Sequence, residues 1–505
     1  MLAPVRRAGI RQFVRSITTK PDLSKPELLK TQSYVNGQWV NAKSGATFTV
    51  DNPATSEPIG TVPEMSVEEL QEAISAAKEA FKDFRKVSNR ERSNMLRRWS
   101  QLLAENQEDL AKILTVENGK PLAEARGEIG SCIANFDWFA EEAPRIYGDT
   151  IPSWNTSNRM HTIKQPVGVC GIITPWNFPA SMISRKVGAA IAAGCTTVIK
   201  PAGATPYSAL AMAELAEKAG IPKGVVNVLT ASENVKAFGK EICENPLISK
   251  VTFTGSTGVG KVLMSQAATG MKKVSFELGG NAPFIVFNDA DVDAAVTGAV
   301  ASKFRGSGQT CICANRFYVH ESVYDEFAQK LTEKVNAMKV GNGLENGVNQ
   351  GPLTNPESVD KVHRHVSDAL DKGGKLLTGG KKLTDVGKNF YAPTVVANVD
   401  SSMAVTCEET FGPLAALIKF STEDEVIELA NRAEVGLAGY FYSKDVSRIN
   451  RVSEALEVGM VGVNTGLITE AALPFGGVKQ SGFGREGSKY GLDDYLSIKT
   501  IVTSI

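Results

Sequence analysis

Residues 167–175, VGVCGIITP, form a short uninterrupted apolar run, which is typical of a β-strand buried on both faces. A helical pattern, SRKVGAAIAAGC (184–195), follows, and a second apolar run, TTVIKP (196–201), comes next. The alternation continues in three further segments, SALAMAELAEKAG (208–220), GVVNVLT (224–230) and KVTFTG (250–255). Strands that alternate with helices predict an α/β fold with a parallel sheet, helices on both faces and right-handed crossovers.

The rest of the chain extends this pattern. A second alternating series begins near APFIVF (282–287) and runs to about Gly466, which predicts a second α/β domain. Residues 89–120 have a polar cap, helical periodicity and a closing Gly-x-Pro signal, so we expect one long helix there. The last segment, YLSIKTIVTSI (495–505), is strand-like, and we expect it to pair with residues around 151–165 or with another subunit.

The composition shows no overall charge bias. The 505 residues include 55 Lys and Arg and 55 Asp and Glu, so no basic field indicates nucleic acid or an anionic membrane as a partner. No apolar run reaches the roughly 20 residues of a membrane span. The seven cysteines are scattered and odd in number, which favours free thiols in a reducing compartment. His363 and His365 are predicted to lie on a helix surface, and we expect no metal site.

The first 20 residues, MLAPVRRAGIRQFVRSITTK, are rich in arginine and contain no acidic residue. Such an amphipathic segment is typical of a mitochondrial transit peptide, and a disordered basic tail is the alternative. We therefore predict that residues 1–30 are a transit peptide and linker outside the fold. The expected location is the mitochondrial matrix, with the cytoplasm as the alternative.

A glycine-rich stretch, VTFTGSTGVGKVLM (251–264), includes one of the predicted strands. Residues 255–261 match the P-loop pattern G-x-x-x-x-G-K, but the next residue is Val262 instead of the Ser or Thr that holds magnesium. The glycine spacing also departs from the G-x-G-x-x-G dinucleotide motif. The local pattern therefore leaves three alternatives open: an ATPase, a dinucleotide-dependent enzyme, and a glycine-rich turn without a ligand.

Three short segments carry side chains that form a coherent chemical set: TPWNFP with Asn177, FELGGNAP with Glu277, and GQTCIC with Cys311. A thiolate can attack a carbonyl carbon, and an amide can donate a hydrogen bond to the oxyanion that forms. A carboxylate can then take a proton from water. Taken singly, each residue also has a structural explanation, as a turn former, an ion-pair partner and a small buried side chain respectively.

Seven motifs follow one another along the chain: PWNFP, VIKPA, FTGSTGVG, FELGGNAP, GQTC, EETFGP and PFGGVKQSGFGRE. Together they resemble the aldehyde dehydrogenase superfamily, from about Tyr34 to the last residue. The resemblance implies an α/β protein with a Rossmann-like cofactor domain, an α/β catalytic domain and a small β oligomerisation element. The expected boundaries are 31–149 and 166–279 for the NAD(P)-binding domain, 280–468 for the catalytic domain, and 150–165 and 488–505 for the oligomerisation strands. A homodimer or homotetramer is the expected assembly.

The resemblance also implies a mechanism. Cys311 attacks an aldehyde to form a thiohemiacetal, whose oxyanion is held by the Asn177 amide and the Cys311 backbone N–H. Hydride passes to the nicotinamide, and Glu277 activates the water that hydrolyses the resulting thioester. The presence of Glu277 argues against the route of CoA-acylating relatives, which release the thioester to CoA.

The glycine-rich stretch then acquires a cofactor role. Gly255 and Ser256 are expected to begin a helix whose N-terminus faces the cofactor pyrophosphate, as the physics of anion binding favours. No magnesium site is needed at Val262. The other implied cofactor positions are Thr174, Pro175 and Trp176, Lys200 at the adenosine ribose, and Glu409 and Phe411 at the nicotinamide ribose and ring.

Within the superfamily, three segments resemble the succinate-semialdehyde dehydrogenases: WNFPASMISRKVGAAIAAGCT, KFRGSGQTCICANRF and FGGVKQSGFGREGSKYGLDDYL. That branch binds the far carboxylate of its substrate with two arginines and a hydroxyl, which correspond to Arg185, Arg305 and Thr469. Bidentate pairing with arginine suits a short acidic tail. The expected substrate is therefore succinate semialdehyde, from GABA degradation. Glutarate semialdehyde is the alternative substrate, and a non-catalytic nucleotide-binding scaffold is the alternative from another class.

Two further expectations concern single residues. In KPAGATP, Gly203 occupies the position at which strictly NAD-dependent members usually carry an acid. No charge there would repel a 2′-phosphate and Lys200 could pair with it, so NADP⁺ is expected to be accepted and preferred over NAD⁺. Cys313 is two residues from Cys311 in a segment expected to be extended, and a reversible disulfide between them would act as a redox brake. The alternative for Cys313 is a small core residue.

Overall fold

The structure is a computed structural model that describes residues 20–505, with strands and helices numbered along the chain. Within these residues the first half forms an eight-stranded sheet. Its spatial order is β2 (Gln38–Val40), β1 (Ser33–Val35), β9 (Val226–Val228), β8 (Thr196–Lys200), β7 (Val169–Ile173), β10 (Ile248–Thr254), β11 (Lys273–Glu277) and β21 (Gly482–Phe483). The central strands from β9 to β11 are parallel, which confirms the prediction from the alternating pattern.

The helices of the first half are α1 (Val67–Phe84), α2 (Asn89–Glu105), α3 (Gln107–Asn118), α4 (Leu122–Glu142), α5 (Ser181–Ala193), α6 (Tyr207–Lys218), α7 (Val235–Glu244) and α8 (Thr257–Ala267). Helices α1 and α2 begin with capping boxes at Ser66 and Ser88. The single helix predicted for residues 89–120 is divided into α2 and α3, because Asn106 leaves the helical conformation (φ −120°, ψ 15°). The stop at Gly119 is confirmed, with φ +88° at that residue.

The second half forms a seven-stranded sheet within the described residues. Its order is β14 (Lys375–Thr378), β15 (Thr394–Ala397), β16 (Leu414–Phe420), β13 (Ala314–His320), β12 (Ala282–Val286), β18 (Ala438–Tyr442) and β19 (Met460–Val463). Neighbouring strands are parallel except β14 and β15. The accompanying helices are α9 (Val292–Lys303), α10 (Tyr324–Asn336), α11 (Pro356–Asp371), α12 (Ala404–Cys407), α13 (Glu423–Asn431) and α14 (Val446–Ala455).

A separate three-stranded sheet consists of β22 (Leu496–Ser504), β6 (Asn158–Pro166) and β5 (Thr150–Ile151). β22 pairs with β6 along nine residues in antiparallel register, so the expected pairing of the last segment is confirmed. The remaining elements are the pairs β3 (Thr47–Asp51) with β4 (Pro58–Pro63) and β17 (Val435–Gly436) with β20 (Val478–Lys479), and helix α15 (Tyr490–Asp493).

The start of the described chain packs on the first half of the protein. Leu28 is fully buried in its core, and the N–H groups of Ser24 and Lys25 donate hydrogen bonds to Asp109 at 3.0 and 2.8 Å. Placing residues 20–30 outside the fold is therefore corrected, because these residues have tertiary contacts. Residues 1–19, which carry most of the predicted transit peptide, lie outside the described residues. From residue 20 onward, no helix is long and apolar enough to cross a membrane.

Candidate active site

Cys311 lies in a turn that follows the 3₁₀ helix Arg305–Gly308 and precedes β13. The N–H of Cys313 donates a hydrogen bond to the carbonyl of Thr310 at 2.9 Å. The segment is therefore a turn and not the expected extended stretch, because this backbone bond folds it back. Both thiols are free, and the Sγ of Cys313 lies 3.5 Å from the carbonyl oxygen of Lys303. The disulfide between Cys311 and Cys313 stays a prediction.

Two glycines allow the loops around Cys311 to meet. A Cβ on Gly308, where φ is +76°, would lie 2.1 Å from the carbonyl oxygen of Gly412. A Cβ on Gly280 would lie 2.4 Å from the carbonyl oxygen of Cys311. Atoms do not approach so closely, so both positions require glycine. The motifs GQTC, EETFGP and FELGGNAP are thereby brought into contact, although they are far apart in sequence.

Cys311 lines two neighbouring cavities and so lies where they meet. The first cavity has a volume of about 380 Å³, and the second has a volume of about 290 Å³. The first contains the predicted substrate residues Arg185, Arg305 and Thr469, and the second contains Asn177, Glu277, Gly255, Ser256, Glu409 and Phe411. The structure thus brings the three predicted chemical groups to one place and separates the predicted substrate residues from most cofactor residues.

Asn177 follows β7 and is buried beside the Cys311 loop. Its Oδ1 accepts a hydrogen bond from the N–H of Phe178 at 3.1 Å, and its Nδ2 donates one to the carbonyl of Gln309 at 3.0 Å. An amide nitrogen carries two hydrogens. One of them therefore remains for an oxyanion formed at Cys311.

Glu277 is the last residue of β11 and is 2% exposed. Neither of its carboxylate oxygens has a hydrogen-bond partner in the part of the chain that the structure describes. Burial raises the pKa of Glu277 well above its usual range, the nearby carboxylate of Glu486 raises it further, and Lys186 opposes the rise. The raised pKa makes the carboxylate of Glu277 a stronger base toward water than an exposed glutamate.

Lys186 and Glu486 form a buried ion pair that the sequence analysis missed. The ammonium of Lys186 also donates a hydrogen bond to the hydroxyl of Thr254 at 2.7 Å. Both charges act on Glu277, with opposite effects on its pKa. The available signal was a charged residue within α5, a helix whose other positions are mostly small or apolar, because such a charge requires a buried partner.

Burial also changes the pKa of Cys311, the predicted nucleophile. It raises the pKa of the Cys311 thiol to about 12, with a further contribution from Glu409, while Arg185 opposes the rise. The protonated thiol is therefore favoured near neutral pH. Attack by Cys311 on a carbonyl carbon requires removal of that proton.

The first cavity can hold a carboxylate. Arg185 is 9% exposed, and its Nη1 has no hydrogen-bond partner within residues 20–505. Its guanidinium lies 4.3 Å from the ring centre of Phe475, and that of Arg305 lies 5.3 Å from the ring centre of Phe178. Thr469 lines the same space. A buried guanidinium nitrogen without a partner matches an anionic ligand, since arginine pairs with carboxylates through directed hydrogen bonds.

Three acids also line the first cavity, Glu124, Glu128 and Glu470, and Glu128 pairs with Lys120. Glu124 accepts a hydrogen bond from the N–H of Gly306 at 2.8 Å. Burial raises the pKa of Glu124, which reduces its negative charge, while the backbone hydrogen bond and the nearby lysine and arginine oppose the rise. Glu470 is exposed to solvent, which screens its charge from the arginines.

The second cavity lies at the carboxyl ends of β7, β10 and β11, where ligands bind in parallel sheets. Gly255 and Ser256 line it directly before α8 begins, and such a helix start favours a pyrophosphate. Val262 is exposed on α8 and offers no hydroxyl to a metal ion, contrary to the P-loop alternative. The carboxylate of Glu409 accepts the N–H of Gly280 at 3.2 Å, and burial raises the pKa of Glu409 to about 7.

Aromatic rings form one side of the second cavity. Trp176 and Phe411 meet edge to face with their ring centres 5.6 Å apart, and φ of Phe411 is +55°. Pro175 lines the same cavity. Thr174 is buried next to these residues in sequence, and its hydroxyl has no partner among residues 20–505.

Lys200 ends β8, and Gly203 follows it in a separate cavity of about 290 Å³ with Ser232. Burial lowers the pKa of Lys200 to about 8, and Glu64 opposes that shift. The expectation that no negative charge would repel a 2′-phosphate here is corrected, because Glu64 lies close to Lys200 in space. Glu64 follows β4, and its carboxylate accepts hydrogen bonds from the N–H groups of Ser232 and Asn234 at 2.8 and 3.0 Å.

The prediction that both histidines of α11 lie on the surface is wrong for one of them. His363 is exposed, whereas His365 is fully buried on the opposite face of the helix. The ring of His365 makes 3.1 Å hydrogen bonds with Thr410 and Glu408, the two neighbours of Glu409. Across residues 20–505, no group of three or more His, Cys, Asp or Glu side chains could hold a metal ion.

Comparisons with known proteins agree with this geometry. A sequence profile described as the aldehyde dehydrogenase family matches residues 39–501. The chain is 56% identical over 489 residues to "Succinate-semialdehyde dehydrogenase [NADP(+)] 1" of Schizosaccharomyces pombe, covering 96% of this chain and 98% of that protein. It is 55% identical over 483 residues to "Glutarate-semialdehyde dehydrogenase" of Pseudomonas putida, covering 96% of this chain and 100% of that protein.

A solved structure extends the comparison to the fold. The crystal structure of succinate-semialdehyde dehydrogenase from Burkholderia pseudomallei has a TM-score of 0.94 and 55% sequence identity with this chain. The match covers 96% of this chain and 100% of that one. With a family profile spanning nearly the whole sequence and a solved relative of the same fold, the chain belongs to the aldehyde dehydrogenase family.

Proposed function

We propose that the protein oxidises succinate semialdehyde to succinate, with NADP⁺ as the preferred cofactor, through a thioester on Cys311. The observation that carries the proposal is the position of Cys311 between two different cavities. One cavity contains Arg185 and Arg305 and suits an acidic tail. The other lies at the strand ends and suits a dinucleotide. An aldehyde whose carboxylate lies in the first cavity would present its carbonyl carbon to the thiol.

The second cavity fits a nicotinamide dinucleotide. A Cβ on Gly279 would lie 3.1 Å from the carboxylate of Glu409, so glycine leaves a cradle open next to that acid. The start of α8 would hold the pyrophosphate, and Glu409 the nicotinamide ribose. Trp176 and Phe411 would enclose the nicotinamide ring. Lys200 would reach the adenosine ribose.

The residues divide the chemistry between them. The Cys311 thiol loses its proton to water and its sulfur attacks the aldehyde carbon, so that a C–S bond forms, the C=O π bond breaks and the carbonyl oxygen becomes an oxyanion. The remaining N–H of Asn177 and the backbone N–H of Cys311 donate hydrogen bonds to that oxyanion. When bound, the nicotinamide supplies the hydride acceptor that converts the thiohemiacetal to a thioester.

Glu277 completes the reaction. Its carboxylate removes a proton from water, the oxygen attacks the thioester carbon, and the C–S bond breaks to release succinate and the thiolate. The raised pKa of Glu277 makes it a stronger base than an exposed glutamate. Its place at the end of β11, beside the Gly-Gly turn that touches Cys311, supports this role.

An aldehyde panel tests the proposal. We expect NADP⁺ reduction with succinate semialdehyde, followed by release of succinate. Glutarate semialdehyde is the second candidate, favoured by the Pseudomonas putida relative, and a higher kcat/KM for it would replace the first substrate. A chain that reduces no cofactor with any aldehyde would contradict the enzyme and favour the scaffold alternative.

The proposal includes an assembly and a location. Val259 and Val262 on α8 and Ile498 and Val502 on β22 are exposed apolar side chains, which support a homodimer or homotetramer. Light scattering on the purified protein tests the assembly. The Arg-rich, acid-free residues 1–20 support the mitochondrial matrix, and a fluorescent protein fused behind residues 1–30 tests it.

A further inference from the structure

A buried ion pair at the edge of the first cavity, which Glu128 lines, contacts the loop that carries Asn177. Lys120, in the connection between α3 and α4, and Glu128, on α4, are each 4% exposed and pair with each other. The ammonium of Lys120 donates a hydrogen bond to the main-chain carbonyl of Asn177 at 2.8 Å. Glu128 accepts the N–H groups of Ala180 and Ser181 at 3.0 and 3.1 Å.

Neighbouring contacts also hold the loop that carries Asn177 in place. The side-chain amide of Asn118 donates to the carbonyl of Trp176 at 2.8 Å, and the Lys120 ammonium lies 3.9 Å from the ring centre of Phe178. On the opposite side of the loop, the Asn177 amide donates to the carbonyl of Gln309. Asn177 is therefore held from two directions, by Lys120 through its backbone and by the Cys311 loop through its side chain.

Stability alone does not explain such a pair. Buried ions lose hydration, and replacing a buried pair by apolar residues of similar volume is often neutral or stabilising. Fixing one arrangement of the chain is the best-attested use of buried polar groups. Every contact of Lys120 and Glu128 described above falls on one short segment, from Asn177 to Ser181. The pair therefore fixes the position of the segment that precedes and begins α5.

That segment joins two proposed functions. Asn177 carries the oxyanion donor, and α5, whose start is held by Glu128, carries Arg185 one helical turn further on. A shift of this segment would lower kcat by moving the oxyanion donor relative to Cys311, and it would raise the KM for the aldehyde by moving the carboxylate-binding arginine. A misplacement of about 1 Å can lower a catalytic rate about 10²-fold.

We propose that Lys120 is a positioning residue, which acts with Glu128 to hold the Asn177 amide where the oxyanion forms at Cys311. The inference rests on the proposed function. Lys120 acts through Asn177 and takes no proton or charge from the substrate. Its effect on the rate therefore requires the Asn177 amide.

A double-mutant cycle tests this dependence in the full-length protein. We expect Lys120→Met to lower kcat with succinate semialdehyde and NADP⁺ about 10²-fold. In an Asn177→Ala background the same change should lower kcat less than about threefold, because no amide is left to misplace. Lys120→Met should leave the KM for NADP⁺ unchanged in both the wild-type and the Asn177→Ala backgrounds. Losses of equal size in the two backgrounds overturn the inference.

Matched variants separate positioning from general damage. Arg126, which lies on α4 like Glu128, forms an exposed ion pair with Glu108 on α3, and Arg126→Met should leave kcat unchanged. Lys120→Met/Glu128→Gln leaves no unpaired charge, so it tests the same dependence on Asn177 if the single variant fails to fold. Alkylation of Cys311 by iodoacetamide, which needs no oxyanion donor, should keep its rate in all folded variants. If Lys120→Met slows alkylation of Cys311 as much as it lowers kcat, misplacement of Asn177 is not the cause of the lower kcat.

The outcomes also distinguish the two proposals. A wild-type chain that reduces no cofactor overturns the proposed function, and this inference with it. An active wild-type chain in which Lys120→Met retains full kcat overturns the inference alone.

Discussion

The side-chain amide of Asn177 donates a hydrogen bond to the main-chain carbonyl of Gln309, two residues before Cys311, at 3.0 Å. This bond links the proposed oxyanion donor directly to the loop of the proposed nucleophile, although 134 positions separate Asn177 from Cys311 in the sequence. The geometry of the reaction thus depends on one contact between two loops. The second N–H of the Asn177 side chain is left to donate a hydrogen bond to the substrate oxygen.

Replacing Asn177 should therefore act on chemistry and not on binding. We expect Asn177→Ala to lower kcat about 10²- to 10³-fold, the usual effect of losing one oxyanion donor. Asn177→Asp should lower kcat further, because a carboxylate would face both the Gln309 carbonyl and the oxyanion. Steady-state kinetics at saturating NADP⁺ measures both. An Asp variant as active as wild type would contradict the assignment.

Glu277→Gln should stop turnover after one cycle. Oxidation does not need the carboxylate, but hydrolysis of the thioester does, so rapid mixing should show one equivalent of NADPH per active site and then a stalled enzyme. In wild type, the hydrolysis rate should rise with pH through the raised pKa of Glu277, since only the carboxylate is a base. Mass spectrometry should detect the acyl group on Cys311 in the Gln variant. Continued turnover by that variant would exclude Glu277 as the base.

The same pKa shift predicts a pH-dependent stability. Burial, reinforced by Glu486, raises the folded-state pKa of Glu277 above its unfolded value. Its contribution to stability is fully present below the unfolded pKa and is lost as pH rises through the folded pKa. Glu277→Gln should thus raise Tm at pH values above the raised pKa of Glu277, and the gain should shrink toward acidic pH. Thermal unfolding of both proteins across pH measures this, and a gain confined to acidic pH would contradict it.

Arg185→Leu and Arg305→Leu should each weaken recognition of the acidic tail. An anion left short of its buried partner loses about 2–5 kcal/mol. The loss should appear in kcat/KM for succinate semialdehyde and be much smaller for an uncharged aldehyde of similar length. Thr469→Val serves as a milder member of the series, since it removes one neutral hydrogen-bond donor. Equal losses on both aldehydes would contradict the assignment.

Gly203→Asp should shift cofactor preference from NADP⁺ toward NAD⁺. The new carboxylate would repel a 2′-phosphate and add to the charge of Glu64. Gly203→Ala is the matched control, because its Cβ meets the same Ser232 hydroxyl, at 3.2 Å, without charge. Glu64→Gln should shift preference the other way. Steady-state kinetics with NAD⁺ and NADP⁺ measures the cofactor preference of each variant. A wild-type kcat/KM for NAD⁺ more than tenfold above that for NADP⁺, a difference of about 1.4 kcal/mol, would contradict the proposal.

Cys313→Ala should remove reversible protection if Cys313 forms a disulfide with Cys311. After peroxide treatment, the parent enzyme should recover with a thiol reductant and the variant should not, because oxidised Cys311 would lack a partner thiol. Burial raises the pKa of Cys313, so disulfide formation should accelerate as pH increases. Equal recovery of both proteins would leave Cys313 as a small core residue.

Local patterns in the sequence were sufficient for much of the fold. Apolar runs such as residues 167–175 became central parallel strands, because a strand covered on both faces must be apolar throughout. The last segment paired with β6 as expected. The break between α2 and α3 at Asn106 was missed, since the residues on both sides favour helix and only the packing of α3 against α4 and α6 requires the turn.

The residues that the sequence analysis missed share a physical property. Four of them are buried although they are charged: Lys186, Glu486, Lys120 and Glu128. The fifth, His365, is buried although the neighbouring residues in the sequence do not indicate that its face of the helix is buried. A charged residue in isolation predicts exposure, because burial is unfavourable without a partner. Each partner lies far away in the chain or on another element. A local pattern, such as the small and apolar residues around Lys186, can therefore indicate burial of a charge but does not identify its partner.

The sequence by itself determined the family and the parallel sheets and indicated the three side chains to which we assign the chemistry, because apolar periodicity and motif order are properties of the chain. Only the tertiary structure decided how these groups act. It placed Cys311 between two cavities and brought the carboxylate of Glu486 close to that of Glu277. It also placed Glu64 near Lys200. The reason is that a pKa, a cavity and a hydrogen bond depend on atoms that are close in space, and folding brings those atoms together from distant positions.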